Sequence, residues 1–174
     1  MSPAREDPAA IGIDLGERRI GIALAEAGTG VARPLTTLQR ARDAATDAAA
    51  IGALLTRHGA SELVVGLPYE ASGAEGPQAA ATRSWLDAVA PLLPEHVVVA
   101  FQDERLTSHV AESRLGPMPR GRSGGPPTRA QREAYRAKVD REAAAIILQD
   151  ALDTRRAAGP SSSRPPTPTM ETPR

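Results

Sequence analysis

Apolar positions along this chain come in two rhythms. Residues 11–15 and 20–25 are short apolar runs separated by the polar Gly16-Glu17-Arg18-Arg19, the pattern of two strands joined by a tight turn. A third strand is predicted over 31–38. The period then lengthens: Ala44, Ala48, Ile51, Leu55 and His58 recur at steps of three and four, one buried face of a helix that Gly59 ends. Residues 63–67 form a fourth strand, which Pro68 closes because it has no N–H to offer a neighbour. After a loop to Glu75, Pro77 sits at a first helical position and opens a helix with Ala81, Trp85, Val89 and Leu92 turned inward. A fifth strand over 97–101 leads to a helix from about 108 to 115 and a Gly/Pro/Arg stretch, 116–128, expected to be mobile. The last helix, from roughly 129 to 152, carries Ala143, Ala144, Ile147 and Ala151 on one side. Three strands followed by alternating helices and strands predict an α/β fold, a mixed five-stranded sheet flanked by helices on both faces.

One domain over 10–153 suits the length, with tails at 1–9 and 154–174; the second tail crowds Pro, Ser and Thr and has too little apolar surface to fold. The absence of cysteine excludes disulfides and thiolate sites. No apolar run approaches the roughly 18 to 20 residues that span a bilayer, and the amino end lacks a signal-peptide core, so a cytoplasmic protein without membrane contact is expected. Formal charge sums to zero. Between Arg114 and Arg141, however, eight basic residues face only Glu133 and Asp140, which makes that segment a candidate backbone-binding surface, or else simply a solvated flank.

Three acidic positions stand out against the apolar pattern. Asp14 interrupts the first strand, where a buried carboxylate needs a partner; a divalent cation would serve, and Gly12 and Gly16 beside it would let a substrate backbone approach. The plainer alternative is a cap on the following turn. Asp103 and Glu104 stand just past the fifth strand, at a carboxyl end of the sheet. Because neighbouring strand residues point to opposite faces, only one of the pair can share a site with Asp14, and Glu104 is favoured over Asp103. Asp140 lies three and four residues before Ala143 and Ala144, on the inward side of the last helix; the competing role is a helix cap with Lys138 or Arg141 as salt partner. Three acids on three elements meet the needs of a metal-assisted phosphoryl transfer, with cations about 4 Å apart in its two-metal form. His58, His96 and His109 lack ligand spacing and are read as surface or cap residues.

At these residues the sequence resembles the YqgF/RuvX family of RNase H-like proteins, described as Holliday junction resolvases and as nucleases acting in maturation of the 5′ end of pre-16S rRNA. Four stretches carry the resemblance: Gly12-Ile13-Asp14-Leu15-Gly16 with Arg18 to Ala23; Val64-Val65-Gly66-Leu67-Pro68 with Gly73, Glu75, Gly76, Pro77 and Gln78; Asp103-Glu104-Arg105-Leu106-Thr107-Ser108; and Val139-Asp140 with Ala143, Ala144, Ile146, Ile147 and Leu148. The resemblance implies metal-binding acids at Asp14, at the Asp103-Glu104 pair and at Asp140, with Mg2+ or Mn2+ as cofactor. It also implies roles for Arg18 and Arg105, whose guanidinium groups can grip a phosphate bidentately. The Gly66-Leu67-Pro68 loop and the helix start at Gly76 are expected to present N–H groups to another phosphate. The partner would be a nucleic acid, either pre-rRNA within a pre-ribosomal particle or branched DNA, bound by a monomer or a homodimer. Tyr69-Glu70-Ala71-Ser72 stands where family members more often carry a Leu-Asn-Met-Asp type stretch, and the order Thr107-Ser108 is reversed.

Two other classes compete. Sugar kinases and actin-like ATPases share the opening strand-Asp-apolar-Gly turn, but need a second copy of the fold that this length lacks. A non-catalytic RNA or ribosome-precursor binding module would rely on the arginines and not on the acids.

Overall fold

The computed structural model describes residues 7–70, 72–104, 107–121 and 124–158. Of the expected tails at 1–9 and 154–174, residues 1–6 and 159–174 lie outside these residues, as do Arg105 and Arg122. Strands β1 (Ala10–Leu15), β2 (Arg19–Ala25) and β3 (Ala32–Gln39) run as an antiparallel meander. Helix α1 (Ala44–His58) then crosses to β4 (Glu62–Leu67), which lies parallel to β1. Helix α2 (Pro77–Val89) and a 3-10 turn at Ala90–Leu92 lead to β5 (Val98–Asp103), parallel to β4. The sheet order is β3-β2-β1-β4-β5. Helices α3 (Thr107–Leu115) and α4 (Arg129–Ala158) complete the chain.

The two faces of the sheet differ in side-chain size, and that difference decides which helix covers which face. Ile11, Ile13, Ile20, Ile22 and Leu24 point to one side and pack with Ile51, Leu55, Trp85 and Val89 of α1 and α2. The alternate positions are small: Ala10, Ala23 and Ala25 meet Ala144, Ile147 and Leu148 of α4. Three glycines bring that helix closer still. A Cβ on Gly12 would stand 2.7 Å from Leu148 Cβ, one on Gly21 2.0 Å from the Asp140 carbonyl oxygen, and one on Gly66 2.5 Å from Ile147 Cδ1. Gly12, expected to make room for substrate, therefore makes room for α4.

Helix α1 ends at Gly59 as expected, in the left-handed region at φ 60°, and Asp43 caps its start by accepting from the Thr46 N–H. Trp85 is buried, and its indole N–H donates to the equally buried Asp47 at 3.0 Å, so neither polar group is orphaned. The inward face of α2 departs from expectation: Ala79, Thr82, Leu86 and Val89 join Trp85 inside, whereas Ala81 is exposed and Leu92 lies in the 3-10 turn, 56% exposed. Trp85 and Val89 are inside as expected, and only the ends of the predicted stripe, Ala81 and Leu92, fall outside it.

Residues 7–9, expected in a tail, belong to the fold. The Asp7 carbonyl accepts from Gly28, the carbonyl of buried Ala9 accepts from Ser61, and Arg156 pairs with Asp7 at 3.6 Å. The last contact uses the end of α4, which continues past 152 to Ala158. The described parts of 116–128 are tied back as well: Tyr135 Oη donates to the Gly116 carbonyl at 2.7 Å, and Thr128 with Gln131 caps α4 reciprocally. Among the described residues no helix is long and apolar enough to cross a membrane.

Candidate active site

Asp14 is the fifth of the six residues of β1 and points, by strand alternation, to the small-residue face beneath α4. Glu104 follows β5 directly and prolongs its ladder, its N–H donating to the Leu67 carbonyl at 3.1 Å. Its side chain lies over Gly66, where a Cβ would come within 2.4 Å of Oε2. Gly66 lies inside β4, within the predicted strand, paired with Gln102, and its missing side chain is what admits Glu104. Asp140 descends from α4 opposite Gly21, the cross-strand partner of Asp14. All three carboxylates line one hollow of about 510 Å³, together with Pro68, Tyr69, Gln78, His109 and Glu112.

Electrostatics mark two of the three as unusual. Asp14 is pushed up to about 6, first by burial, then by the nearby negative charge of Asp140, against the lowering effect of a hydrogen bond from Glu104. Glu104 is pushed up to about 9 by burial and by Asp14, to which it is hydrogen-bonded. The pair thus holds a proton at neutral pH, with Glu104 donating and Asp14 accepting, as two carboxylates must when pressed together out of water. Asp140 is handled differently: Arg19 Nε donates to its Oδ2 at 2.5 Å, both side chains being about one-fifth exposed. Among the described residues, no three His, Cys, Asp or Glu side chains are drawn together tightly enough to cage a cation.

Asp103 parts company with its neighbour. It ends β5 and lines a separate hollow with Leu67, Tyr69 and Phe101, on the opposite face from Glu104. Arg18 is exposed beside Arg19, Arg136 and Asp140 in a third hollow that adjoins the carboxylates through Gly16. Gly16 itself closes the β1–β2 turn, donating to the Arg19 carbonyl at 2.9 Å. Gly76 caps the start of α2 without a side-chain bond, and the Glu70 carboxylate lies against it. Much of the basic segment is engaged locally: Arg114 pairs with Glu142, Arg129 with Glu133, and Arg132 donates to the Pro127 carbonyl.

Sequence reasoning missed Arg19, Gln78, His109 and Glu112. Arg19 was legible in principle, since counting back by twos from Ala25, Ala23 and Gly21 reaches it on the face of Asp14. His109 and Glu112 share one side of α3 at i and i+3, but nothing in their spacing says that α3 turns that side toward the carboxylates.

Residues 8–154 match a family described as RuvX, Holliday junction resolvase. Among curated proteins, the chain is 40% identical over 146 residues to a Chloroflexus aggregans protein, covering 84% of this chain and 94% of that one. It is 42% identical over 145 residues to an Anaeromyxobacter dehalogenans protein, covering 83% and 96%, and 42% identical over 154 residues to one from Nocardioides sp., covering 86% and 90%. All three are named as candidate pre-16S rRNA nucleases. Among solved structures, T. thermophilus RuvC in complex with Holliday junction substrate superposes with a TM-score of 0.51 at 17% identity, covering 87% of this chain and 97% of that chain. That likeness establishes the RNase H-like fold.

Proposed function

We propose, from the premise that this chain belongs to the RuvX family, that it is a cytoplasmic endonuclease hydrolysing nucleic-acid phosphodiesters with the help of a divalent cation, and that its substrate is the 5′ region of precursor 16S rRNA. The name shared by its relatives supports the substrate. The observation that carries the chemistry is the contact between Asp14 and Glu104, two half-buried carboxylates of which one must stay protonated to tolerate the other.

The donor set fits such a cation. Asp14 and Glu104 present hard oxygen atoms side by side, the ligands that Mg2+ and Mn2+ prefer, and Asp140 would join them on giving up Arg19. A bound cation would polarise the phosphoryl group and make a bound water acidic enough to attack it. The chain's own contribution is positional. Gly66 and Gly21 set Glu104 and Asp140 against the sheet, and the proton between Glu104 and Asp14 is the charge that a cation would replace. Arg18 and Arg136, at the adjoining hollow, suit the phosphates that flank the cut. Arg105, outside the described residues, belongs to the same proposal.

The test incubates the purified protein with a precursor rRNA fragment and, separately, with a four-way DNA junction, in Mg2+, in Mn2+ and in chelator. Cleavage of the rRNA fragment that needs a divalent cation and disappears in Asp14→Asn is the expected result. Cleavage of the junction alone moves the substrate to branched DNA. Binding of RNA without any cleavage, unaffected by Asp14→Asn, replaces the enzyme with a binding module.

A further inference from the structure

Tyr69 belongs to two hollows at once. On one side it lines the carboxylate site. On the other it shares with Leu67, Gly73, Phe101, Gln102 and Asp103 an open hollow of about 420 Å³, roomy enough for a heterocyclic base. Phe101 is the only phenylalanine in the chain, yet it is not spent on the core: its place on β5, at the edge of the sheet, leaves it 38% exposed. The guanidinium of Arg83 stands 4.7 Å from its ring centroid. Glu75 fixes that guanidinium, accepting from Nε at 3.0 Å and from Nη2 at 2.5 Å, and Arg83 also reaches the Tyr69 side chain. Two aromatic rings thus line one hollow, and a planar cation stands over one of them. An anchor for the 72–76 loop accounts for the Arg83–Glu75 pair, but not for a partly exposed aromatic ring lining a base-sized space that shares Tyr69 with the carboxylate hollow.

Resting on the nuclease reading above, we infer that the hollow between Tyr69 and Phe101, backed by Arg83, is a nucleobase pocket that takes an unpaired base flanking the phosphodiester presented to Asp14 and Glu104. Bases stack on aromatic faces and on guanidinium planes irrespective of sequence. A base inside a duplex has both faces covered by its neighbours and its edge engaged, so only a splayed or single-stranded base can enter. Gln102, which also lines the hollow, carries an amide able to meet a base edge. The pocket therefore selects for an unpaired nucleotide beside the cut, whichever sugar the strand carries.

The full chain, in chelator so that nothing is cut, is titrated with a short single-stranded oligonucleotide carrying 2-aminopurine at each position in turn, and with the same strands made abasic there. At one position the fluorescence is expected to be quenched on binding, and the abasic strand to bind about tenfold more weakly. Phe101→Leu and Arg83→Gln should each remove most of the quench and bring the two affinities together, while Phe101→Trp restores both. Circular dichroism melts establish that the variants fold, and Arg83 is at the surface, where replacement spares the core. If the wild type binds the strands but no position is quenched, or the variants behave as wild type, the pocket is overturned and the nuclease reading stands. If the wild type binds none of the strands, the pocket and the reading beneath it fall together.

Discussion

Arg19 Nε donates to Asp140 Oδ2 at 2.5 Å, joining the first residue of β2 to a helix that follows more than a hundred residues later. The pair neutralises Asp140, which does not share the proton of Asp14 and Glu104. Arg19→Met keeps the apolar stem and removes the charge. In chelator, urea unfolding should show a loss of about 1.5–3 kcal/mol, the worth of a hydrogen bond to a charged group. With Mg2+ the loss should shrink, and calorimetric titration should give tighter Mg2+ binding than in wild type. Equal stability in chelator would show that the pair contributes nothing.

The proton between Glu104 and Asp14 makes stability depend on pH. With Glu104 raised to about 9 and Asp14 to about 6, the folded protein binds more protons than the unfolded chain above the ordinary carboxylate range. Cation-free stability should therefore fall as pH rises through that window. Glu104→Gln removes the larger part of this slope, so its stability in chelator should exceed that of wild type at about pH 8 and approach it at about pH 5. Urea midpoints at the two values check the sign.

Gly21 has no room for a methyl group, since a Cβ there would meet the Asp140 carbonyl oxygen at 2.0 Å. Gly21→Ala should cost about 1–3 kcal/mol of stability by pushing α4 outward. It should also lower cleavage by more than the loss of folded protein explains, because Asp140 moves with the helix. A rate that simply tracks the folded fraction would contradict this.

Asp103 and Glu104 are adjacent in sequence and open onto different hollows. Glu104→Gln is expected to lower kcat by two orders of magnitude or more, about 2.7 kcal/mol or more of barrier. Asp103→Asn should cost much less, with its effect mainly in KM. Single-turnover rates with saturating substrate separate the two.

The succession of strands and helices, and the side of its element on which each acid lies, were legible because both depend on short-range rules. Alternation along β5 set Glu104 apart from Asp103, and the three-four spacing from Ala143 turned Asp140 inward, where it lines the hollow of Asp14. The inward face of α2 was misread because Ala81 and Ala79 are indistinguishable by hydrophobicity; only the helix's rotation against the sheet, fixed by Trp85 meeting Asp47, decides between them. The fourth strand ends at Leu67 as Pro68 predicts, but that Gly66 makes room for the Glu104 side chain depends on the neighbouring β5, which no local pattern shows. The Arg19–Asp140 pair escaped notice because it depends on how far along the sheet α4 is seated, which no local pattern encodes.

Helix α4 works as a phased shaft. At its far end Arg156 is moored to Asp7, and through its middle Ala144 and Leu148 are keyed into the groove over Gly12, so neither its slide nor its rotation is free. Adding or deleting one residue between Asp140 and Ala143 would leave the keyed portion in place and swing the carboxylate by about 100° around the axis. The chain can vary its surface and its loops, but the distance in residues from that acid to the alanine seat is a count that its chemistry does not let it change.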